Sequence, residues 1–179
     1  MKRFSVKELI LISAMAALGL AVKPVVTPLA HIISTPLMIP GGALAGGLYM
    51  MWLVVAFGLT GKRGTAILTG LVQGIAVMLT GMPGSHGVMS IFSYTMPGLV
   101  MDLGMLLLRR RIEGSGTALT ACVLANVTGT LCVNVIFYNL PLIPLLLSVS
   151  AASLSGAVGG LLAWQLLRAL DKYGIGENL

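Results

Sequence analysis

The chain divides into six apolar segments, and most of its charged residues lie in the short stretches between them. The segments cover approximately residues 8–22 or 8–26, 41–59, 65–80, 87–108, 117–138 and 142–170. A helix needs roughly 20 residues to cross a bilayer core of about 30 Å, and these segments are close to that length. Helices are expected because lipid cannot satisfy the N–H and C=O groups of exposed backbone. The pattern therefore predicts an all-α bundle of six transmembrane helices, with residues 1–179 forming a single membrane domain.

The basic residues predict the orientation of this bundle. They cluster before the first segment, after the second and fourth, and around the end of the sixth, at Lys2, Arg3, Lys7, Lys62, Arg63, Arg109, Arg110, Arg111, Arg168 and Lys172. Short loops rich in Lys and Arg remain in the cytoplasm, so we expect both termini there. Lys23, beside Pro24, is expected at the outer end of the first segment. A proline-containing segment of uncertain form, 24–40, and a turn over residues 81–86 would also lie outside.

Composition excludes several classes of protein. The chain is 57% hydrophobic and 9% charged, which leaves no room for a soluble domain. Its net charge of +6 would suit a nucleic-acid partner, but membrane orientation already explains the basic loops. The sequence has no P-loop, nucleophile elbow or zinc-protease motif, so we predict no catalytic residue and no cofactor. Two histidines in separate outer loops, His31 and His86, supply too few ligands for a metal site.

Polar residues recur at intervals of four in the fifth segment. Asn126, Thr130 and Asn134 share one helical face, and Tyr138 and Asn139 follow them. Such side chains should face the bundle interior rather than lipid. This row would either form hydrogen bonds between helices or line a solute pocket.

The fourth segment carries a similar row, with His86, Ser90 and Tyr94 in its outer half. Asp102 lies nearer the inner end and is either a functional acid or the partner of Arg109. The candidate binding residues from all segments are Gln73, His86, Ser90, Tyr94, Asn126, Asn134, Tyr138 and Asn139. These mostly neutral groups suit a small, uncharged or weakly charged heterocycle better than a metal or a strongly anionic solute. Lys23 would either pair with a carboxylate or phosphate or extend from the end of its span into water.

Two rows of small residues could allow close helix contacts. One row, in the first segment, contains Ser13, Ala17 and Ala21, and the other, in the sixth, contains Ala152, Gly156 and Gly160. Small residues at this spacing let helices approach closely in lipid. Each row would either pack within this bundle or form a docking face for a partner membrane protein.

Several stretches of the chain resemble a known transporter family. They are the basic N-terminus, residues 11–21 (LISAMAALGLA), residues 40–52 (PGGALAGGLYMMW), residues 61–66 (GKRGTA) and residues 81–87 (GMPGSHG). Together with the six-span plan, they resemble the substrate-binding S-component of an energy-coupling factor (ECF) vitamin transporter. The nearest subgroup is the one linked to hydroxymethylpyrimidine, a thiamine precursor. Cobalt and nickel S-components begin with Met-His, whereas this chain begins with Met1-Lys2.

The resemblance implies a binding subunit for uptake of a small vitamin or vitamin precursor across a prokaryotic plasma membrane, and not an enzyme. A transmembrane coupling subunit would dock on Ser13, Ala17 and Ala21, and two cytoplasmic ATPases would drive it. The outer segment with Lys23 and His31 would act as a lid. The alternatives are a small integral membrane enzyme or an autonomous solute carrier. The enzyme would need convergent catalytic groups, and the carrier would more naturally show internal repeats.

Overall fold

A computed structural model describes residues 4–37, 39–82, 85–109 and 111–174, and this part of the chain is helical without a β-strand. Its α-helices are α1 Val6–Ser34, α2 Gly41–Thr60, α3 Thr65–Thr80, α4 Met89–Leu107, α5 Ser115–Val133 and α6 Leu142–Lys172. Helix α5 continues directly into a π-helical segment, Asn134–Tyr138. Each predicted segment corresponds to one of these helices, so the all-α fold class is confirmed.

Among the described residues, five helices are long and apolar enough to cross a membrane: α1, α2, α4, α5 with its π-helical extension, and α6. Helix α3 is apolar but has 16 residues, a length of about 24 Å at 1.5 Å per residue. The sixth crossing and the cytoplasmic side of the termini therefore remain predictions. Parts of the predicted basic clusters, outer segment and outer turn lie outside the described residues, namely Lys2, Arg3, Met38, Pro83, Gly84 and Arg110, and so do residues 175–179.

Helix α1 is longer than the sequence pattern predicts. It continues beyond residue 22 to Ser34, with Pro24 and Pro28 inside it. Each proline removes one backbone donor and usually kinks or ends a helix. In lipid, however, ending the helix would leave further backbone groups without partners, whereas continuing it satisfies most of them. The prediction that the first span ends near Lys23-Pro24 is therefore wrong, and most of the segment 24–40 is helical.

The helices contact one another in the ring order α1, α2, α6, α5, α4 and α3, and α2 also contacts α3 and α5. Helices α2 and α6 approach so closely that their backbones touch. A Cβ atom added to Gly159 would lie 2.1 Å from the carbonyl oxygen of Gly47. Only glycine fits at such a crossing, which is how helices associate without a hydrophobic driving force.

The small-residue row of α6 packs inside the bundle. Ala152, Gly156 and Gly160 are all buried. A Cβ atom on Gly156 would lie 2.8 Å from the Cα atom of Val123, and one on Gly160 would lie 2.5 Å from the Cα atom of Leu119, both in α5. For this row, packing within the bundle is the interpretation that the structure supports.

Charged groups close the end of the bundle that carries the basic loops. Glu8 forms an ion pair of 2.7 Å with Lys62, which joins the start of α1 to the loop between α2 and α3. Asp102 of α4 accepts a hydrogen bond from the backbone N–H of Ile67, 3.0 Å away, in the first turn of α3. Asp102 therefore caps a helix, and among the described residues no ion pair joins it to Arg109.

Candidate binding cavity

A cavity of about 180 Å³ lies between the helices at the end opposite the basic loops. Short connections make successive helices antiparallel, so the start of α1 and the ends of α2, α4 and α6 share one end of the bundle. The cavity lies towards the other end. Its lining includes Lys23, Thr27, His31, Gly41, Gly46, Tyr49, Met50, Gln73, His86, Ser93, Tyr94, Asn126, Thr130 and Tyr138.

The second half of α1 forms one wall of the cavity. Lys23, Thr27 and His31 are four residues apart and therefore lie on the same helical face. The hydroxyl groups of Thr27 and Tyr49 are 2.8 Å apart, which ties this wall to α2. The segment that the resemblance assigns to a lid is thus a helical wall in this structure.

Lys23 is buried within this cavity rather than extended into water. Its side chain is 8% exposed. The ammonium group donates a hydrogen bond to the hydroxyl of Tyr94. It also lies 4.2 Å from the centroid of the Tyr94 ring and 5.0 Å from that of Tyr49. The aromatic faces stabilise this cation from two sides.

His86 reaches the cavity from the connection between α3 and α4. Its ring stacks on Phe137, with centroids 4.4 Å apart, and Nδ1 lies 3.4 Å from the hydroxyl of Ser93. Its backbone N–H donates to the hydroxyl of Ser90 at 2.8 Å. Burial, and secondarily the positive charge of Lys23, lowers the pKa of His86 below its usual value. This environment therefore favours the neutral imidazole.

Asn126 both lines the cavity and joins three helices. Its Nδ2 atom donates to the carbonyl oxygens of Ala43 in α2, at 3.3 Å, and Ala152 in α6, at 2.8 Å. Gly46 leaves room for the side chain of Asn126, since a Cβ atom on Gly46 would lie 1.8 Å from Asn126 Oδ1. Asn126 therefore fulfils both sequence-based alternatives, because it forms hydrogen bonds between helices and also lines a pocket.

Gln73 has the same double position. It lines the cavity from the middle of α3 and donates to the carbonyl oxygen of Ala16 in α1, 3.4 Å away. Amides that are already hydrogen-bonded to the scaffold are held in fixed rotamers. Both amides therefore line the cavity in positions that their bonds to the backbone restrict.

Five of the eight residues predicted to bind solute line the cavity: Gln73, His86, Tyr94, Asn126 and Tyr138. The other three lie outside its lining. Ser90 is buried behind His86, and Asn134 Oδ1 accepts from the backbone N–H of Leu140 at 2.9 Å. Asn139 has a left-handed backbone conformation, with φ of 46°, and ends the π-helical segment.

Sequence reasoning missed several lining residues, including Thr27, Tyr49, Met50 and Ser93. Thr130 lies in the polar row of α5 but is not among the candidate binding residues. Its place in that row is the signal that could have identified it as a lining residue. Tyr49 and Met50 lie in an uninterrupted apolar stretch, where nothing in the pattern distinguishes them from packing residues.

The donor atoms of the cavity do not suit a metal ion. Within the described ranges, no group of three or more His, Cys, Asp or Glu side chains could hold a metal. His31 and His86 both line the cavity, but the charged group beside them is the Lys23 ammonium. Metal sites rely on several N, S or carboxylate ligands, and a neighbouring cation opposes metal binding.

Comparisons with known proteins identify a transport family. The family described as "ABC-type cobalt transport system, permease component" matches residues 7–128. A solved structure described as the crystal structure of an S-component of an ECF transporter has the same fold, with a TM-score of 0.82. The two chains are 19% identical, and the match covers 99% of this chain and 90% of that one. No curated protein matches the chain.

Proposed function

The chain belongs to the family of ABC-type cobalt transport permease components, and on that premise we propose that it is the substrate-binding S-component of an ECF-type importer. The family is a transport family rather than an enzyme family, and the apolar helices make the chain a multi-pass protein of the cell membrane. The shared fold supports the S-component assignment. The hydroxymethylpyrimidine subgroup is not confirmed by these comparisons and remains a prediction.

The cavity is the observation that carries this proposal. It places buried polar side chains from α1, α3, α4 and α5 around one space inside a lipid-embedded bundle. Polar residues are costly at such depth and are typical of a solute site. If the basic loops face the cytoplasm, the cavity lies in the outer half of the membrane, where an importer receives its solute.

The cavity favours a small organic solute over a metal ion. Its volume of about 180 Å³ lies below the roughly 300–1,000 Å³ of pockets for drug-sized ligands, which suits a solute no larger than a single substituted ring. The aromatic rings of Tyr49, Tyr94 and Tyr138 and the fixed amides of Gln73 and Asn126 provide stacking and hydrogen bonding for a heterocycle. A vitamin or vitamin precursor, with a thiamine-related pyrimidine as the best candidate, fits this lining.

The small-residue row of α1 is the proposed docking face for a transmembrane coupling subunit. Ser13, Ala17 and Ala21 are all exposed on the outside of the bundle, in contrast to the buried row of α6. Exposed small residues let a partner helix approach closely in lipid. Two cytoplasmic ATPases would supply the energy through that partner, as the resemblance to ECF transporters implies.

Mass spectrometry of the purified protein tests the binding function. We expect wild-type protein, purified gently and then denatured, to release one small molecule in near-stoichiometric amount. Thr27→Trp should abolish its retention, because the indole would fill the cavity. Leu79→Trp is the matched control, since Leu79 is 75% exposed on the outer surface of α3. Equal retention by both variants, or no retained molecule in wild type, would count against the proposal.

A further inference from the structure

The cavity contains a buried ammonium group with no carboxylate opposite it. Lys23 is more than nine-tenths buried, and its described partners are the Tyr94 hydroxyl and two aromatic rings. Within the described part of the chain, no Asp or Glu lines the cavity. The ion pair between Lys62 and Glu8 lies at the opposite end of the bundle.

A buried charge of this kind is destabilising unless an opposite charge and hydrogen bonds compensate it. An ammonium group has three N–H donors, and the described hydrogen bond to Tyr94 uses one of them. The tyrosine rings compensate part of the cost of burial through their electron-rich faces. The Lys23 ammonium therefore has N–H groups left to donate, and the cavity that it lines has room for a small molecule.

A second polar group in the same lining has unused hydrogen-bonding capacity. The hydroxyl of Thr130 is buried and makes no hydrogen bond to any described residue. The ring of His86, on another side of the cavity, is close enough to Lys23 to experience its charge. The unused donors of Lys23 and the unpaired hydroxyl of Thr130 indicate that a ligand completes their hydrogen bonds.

We propose that Lys23 binds an oxyanion of the transported solute, so that the solute is an anionic organic molecule rather than a metal cation or a neutral ring. This inference rests on the proposed function, because it assumes that the cavity is the solute site. A carboxylate or a phosphate monoester would pair with the ammonium and accept a hydrogen bond from Thr130. A divalent cation would instead add to an uncompensated positive charge.

The inference refines the candidate solute class. A neutral hydroxymethylpyrimidine would satisfy the amides of Gln73 and Asn126 but leave Lys23 uncompensated. A phosphorylated pyrimidine, or another small heterocycle with one carboxylate, would satisfy both parts of the cavity. The polar residues in the sequence favoured an uncharged or weakly charged solute. The buried charge of Lys23 favours a solute that carries one anionic group.

Matched pairs of probes test this proposal by thermal shift and calorimetry on detergent-purified protein. One pair is hydroxymethylpyrimidine and its monophosphate, and the other is nicotinamide and nicotinate, which differ mainly in charge. We expect the anionic member of at least one pair to bind at least tenfold more tightly than its neutral counterpart. Cobalt(II) chloride, tested alone, should not stabilise the protein.

The variant Lys23→Met removes the charge and keeps the length of the side chain. It should weaken binding of the anionic probe by roughly ten- to a hundredfold and change binding of the neutral probe by less than about threefold. The ligand-free variant should melt at the same temperature as wild type or higher, because an uncompensated buried charge has been removed. Lys7→Met is the control, since Lys7 is exposed on the same helix.

A lysine with a structural role only would give a different result. Lys23→Met would then lower the melting temperature of the ligand-free protein and leave the preference between paired probes unchanged. Three outcomes would overturn the oxyanion inference. They are this structural result for Lys23→Met, binding of the neutral probes that equals or exceeds that of the anionic probes, and tight binding of cobalt(II). The first two outcomes would leave the proposed function intact, whereas tight binding of cobalt(II) would also contradict the proposed organic solute.

If none of the probes binds, the molecule that co-purifies with the protein tests the inference instead. An acidic molecule that wild type retains and Lys23→Met loses would support the inference, and an acid that Lys23→Met still retains would overturn it. A retained neutral molecule would also overturn it while preserving the proposed function. If wild-type protein retains nothing and no probe binds, both the proposed function and the inference fail.

Discussion

The carboxylate of Asp102 accepts a hydrogen bond from the backbone N–H of Ile67 at 3.0 Å, and this contact joins α4 to the first turn of α3. The first N–H groups of a helix have no partner within the helix, and an anion placed there satisfies them and interacts favourably with the helix dipole. Helix α3 is the shortest of the six α-helices in the described residues. Its attachment through Asp102 therefore matters for the stability of the bundle.

We expect Asp102→Ala to lower the free energy of unfolding by about 1–3 kcal/mol, because buried N–H groups would lose their acceptor. The measurement is the loss of monodisperse protein on heating in detergent. Arg109→Met is the control, since the exposed Arg109 makes no ion pair with Asp102 in the described structure. If both variants lost the same stability, the capping role of Asp102 would be wrong.

The exposed row on α1 leads to a prediction about assembly. Replacing Ser13, Ala17 and Ala21 together by Leu should reduce co-purification of the coupling subunit by roughly tenfold or more, because bulky side chains prevent close helix contact. Solute retention should stay unchanged, since these residues point away from the cavity. Thr120→Leu combined with Ala169→Leu is the control, as both positions are exposed on other helices. An unchanged yield of complex from the triple variant would refute the docking face.

The glycine contact between α2 and α6 predicts a sharp steric effect. Gly159→Ala would place its Cβ 2.1 Å from the carbonyl oxygen of Gly47, so the helices must separate. We expect a destabilisation of about 1–3 kcal/mol, measured as a fall in melting temperature. Gly116→Ala, where a Cβ meets nothing within 4 Å, should be neutral or stabilising by up to about 1 kcal/mol. Similar effects of the two substitutions would contradict the close approach.

Asn126 and Asn134 should differ in function although both are buried. Asn126→Leu removes two hydrogen bonds and one cavity-lining amide, so we expect a lower melting temperature and at least roughly tenfold weaker solute binding. Asn134→Ala removes the acceptor of the Leu140 N–H, outside the cavity lining, and should lower stability with less than about a threefold change in affinity. Calorimetry on both variants with the retained solute would show whether this difference exists.

His86 should make stability depend on pH. Its pKa is lowered in the folded protein by burial and by Lys23, whereas the unfolded chain has the usual value near 6.5. Between these two values the unfolded state binds more protons, so stability falls as the pH drops below about 6.5 and levels off below the folded pKa. The melting temperature from pH 8 to pH 5 should therefore fall more steeply in wild type than in His86→Asn. Parallel curves would contradict the assigned environment of the imidazole.

The sequence alone determined where the helices lie, with one exception. The predicted bounds of the second, third and sixth segments differ from the observed helices by no more than two residues. This accuracy has a local cause, because in lipid each segment must separately be apolar and must satisfy its own backbone hydrogen bonds. The exception is the end of α1, where Pro24 and Pro28 indicate a break that the helix does not make.

The tertiary structure alone decided which faces meet. The rows at Ser13 and at Gly156 have the same spacing, yet one faces outward and the other packs on α5, because the rotation of each helix depends on all its neighbours. The position of Lys23 shows this most clearly. In the sequence it marks the edge of an apolar segment, and in the fold it lies between the rings of Tyr49 and Tyr94, the latter 71 positions away. Charge patterning places a residue along the membrane normal, but packing across helices determines whether its side chain meets water, lipid or a cavity.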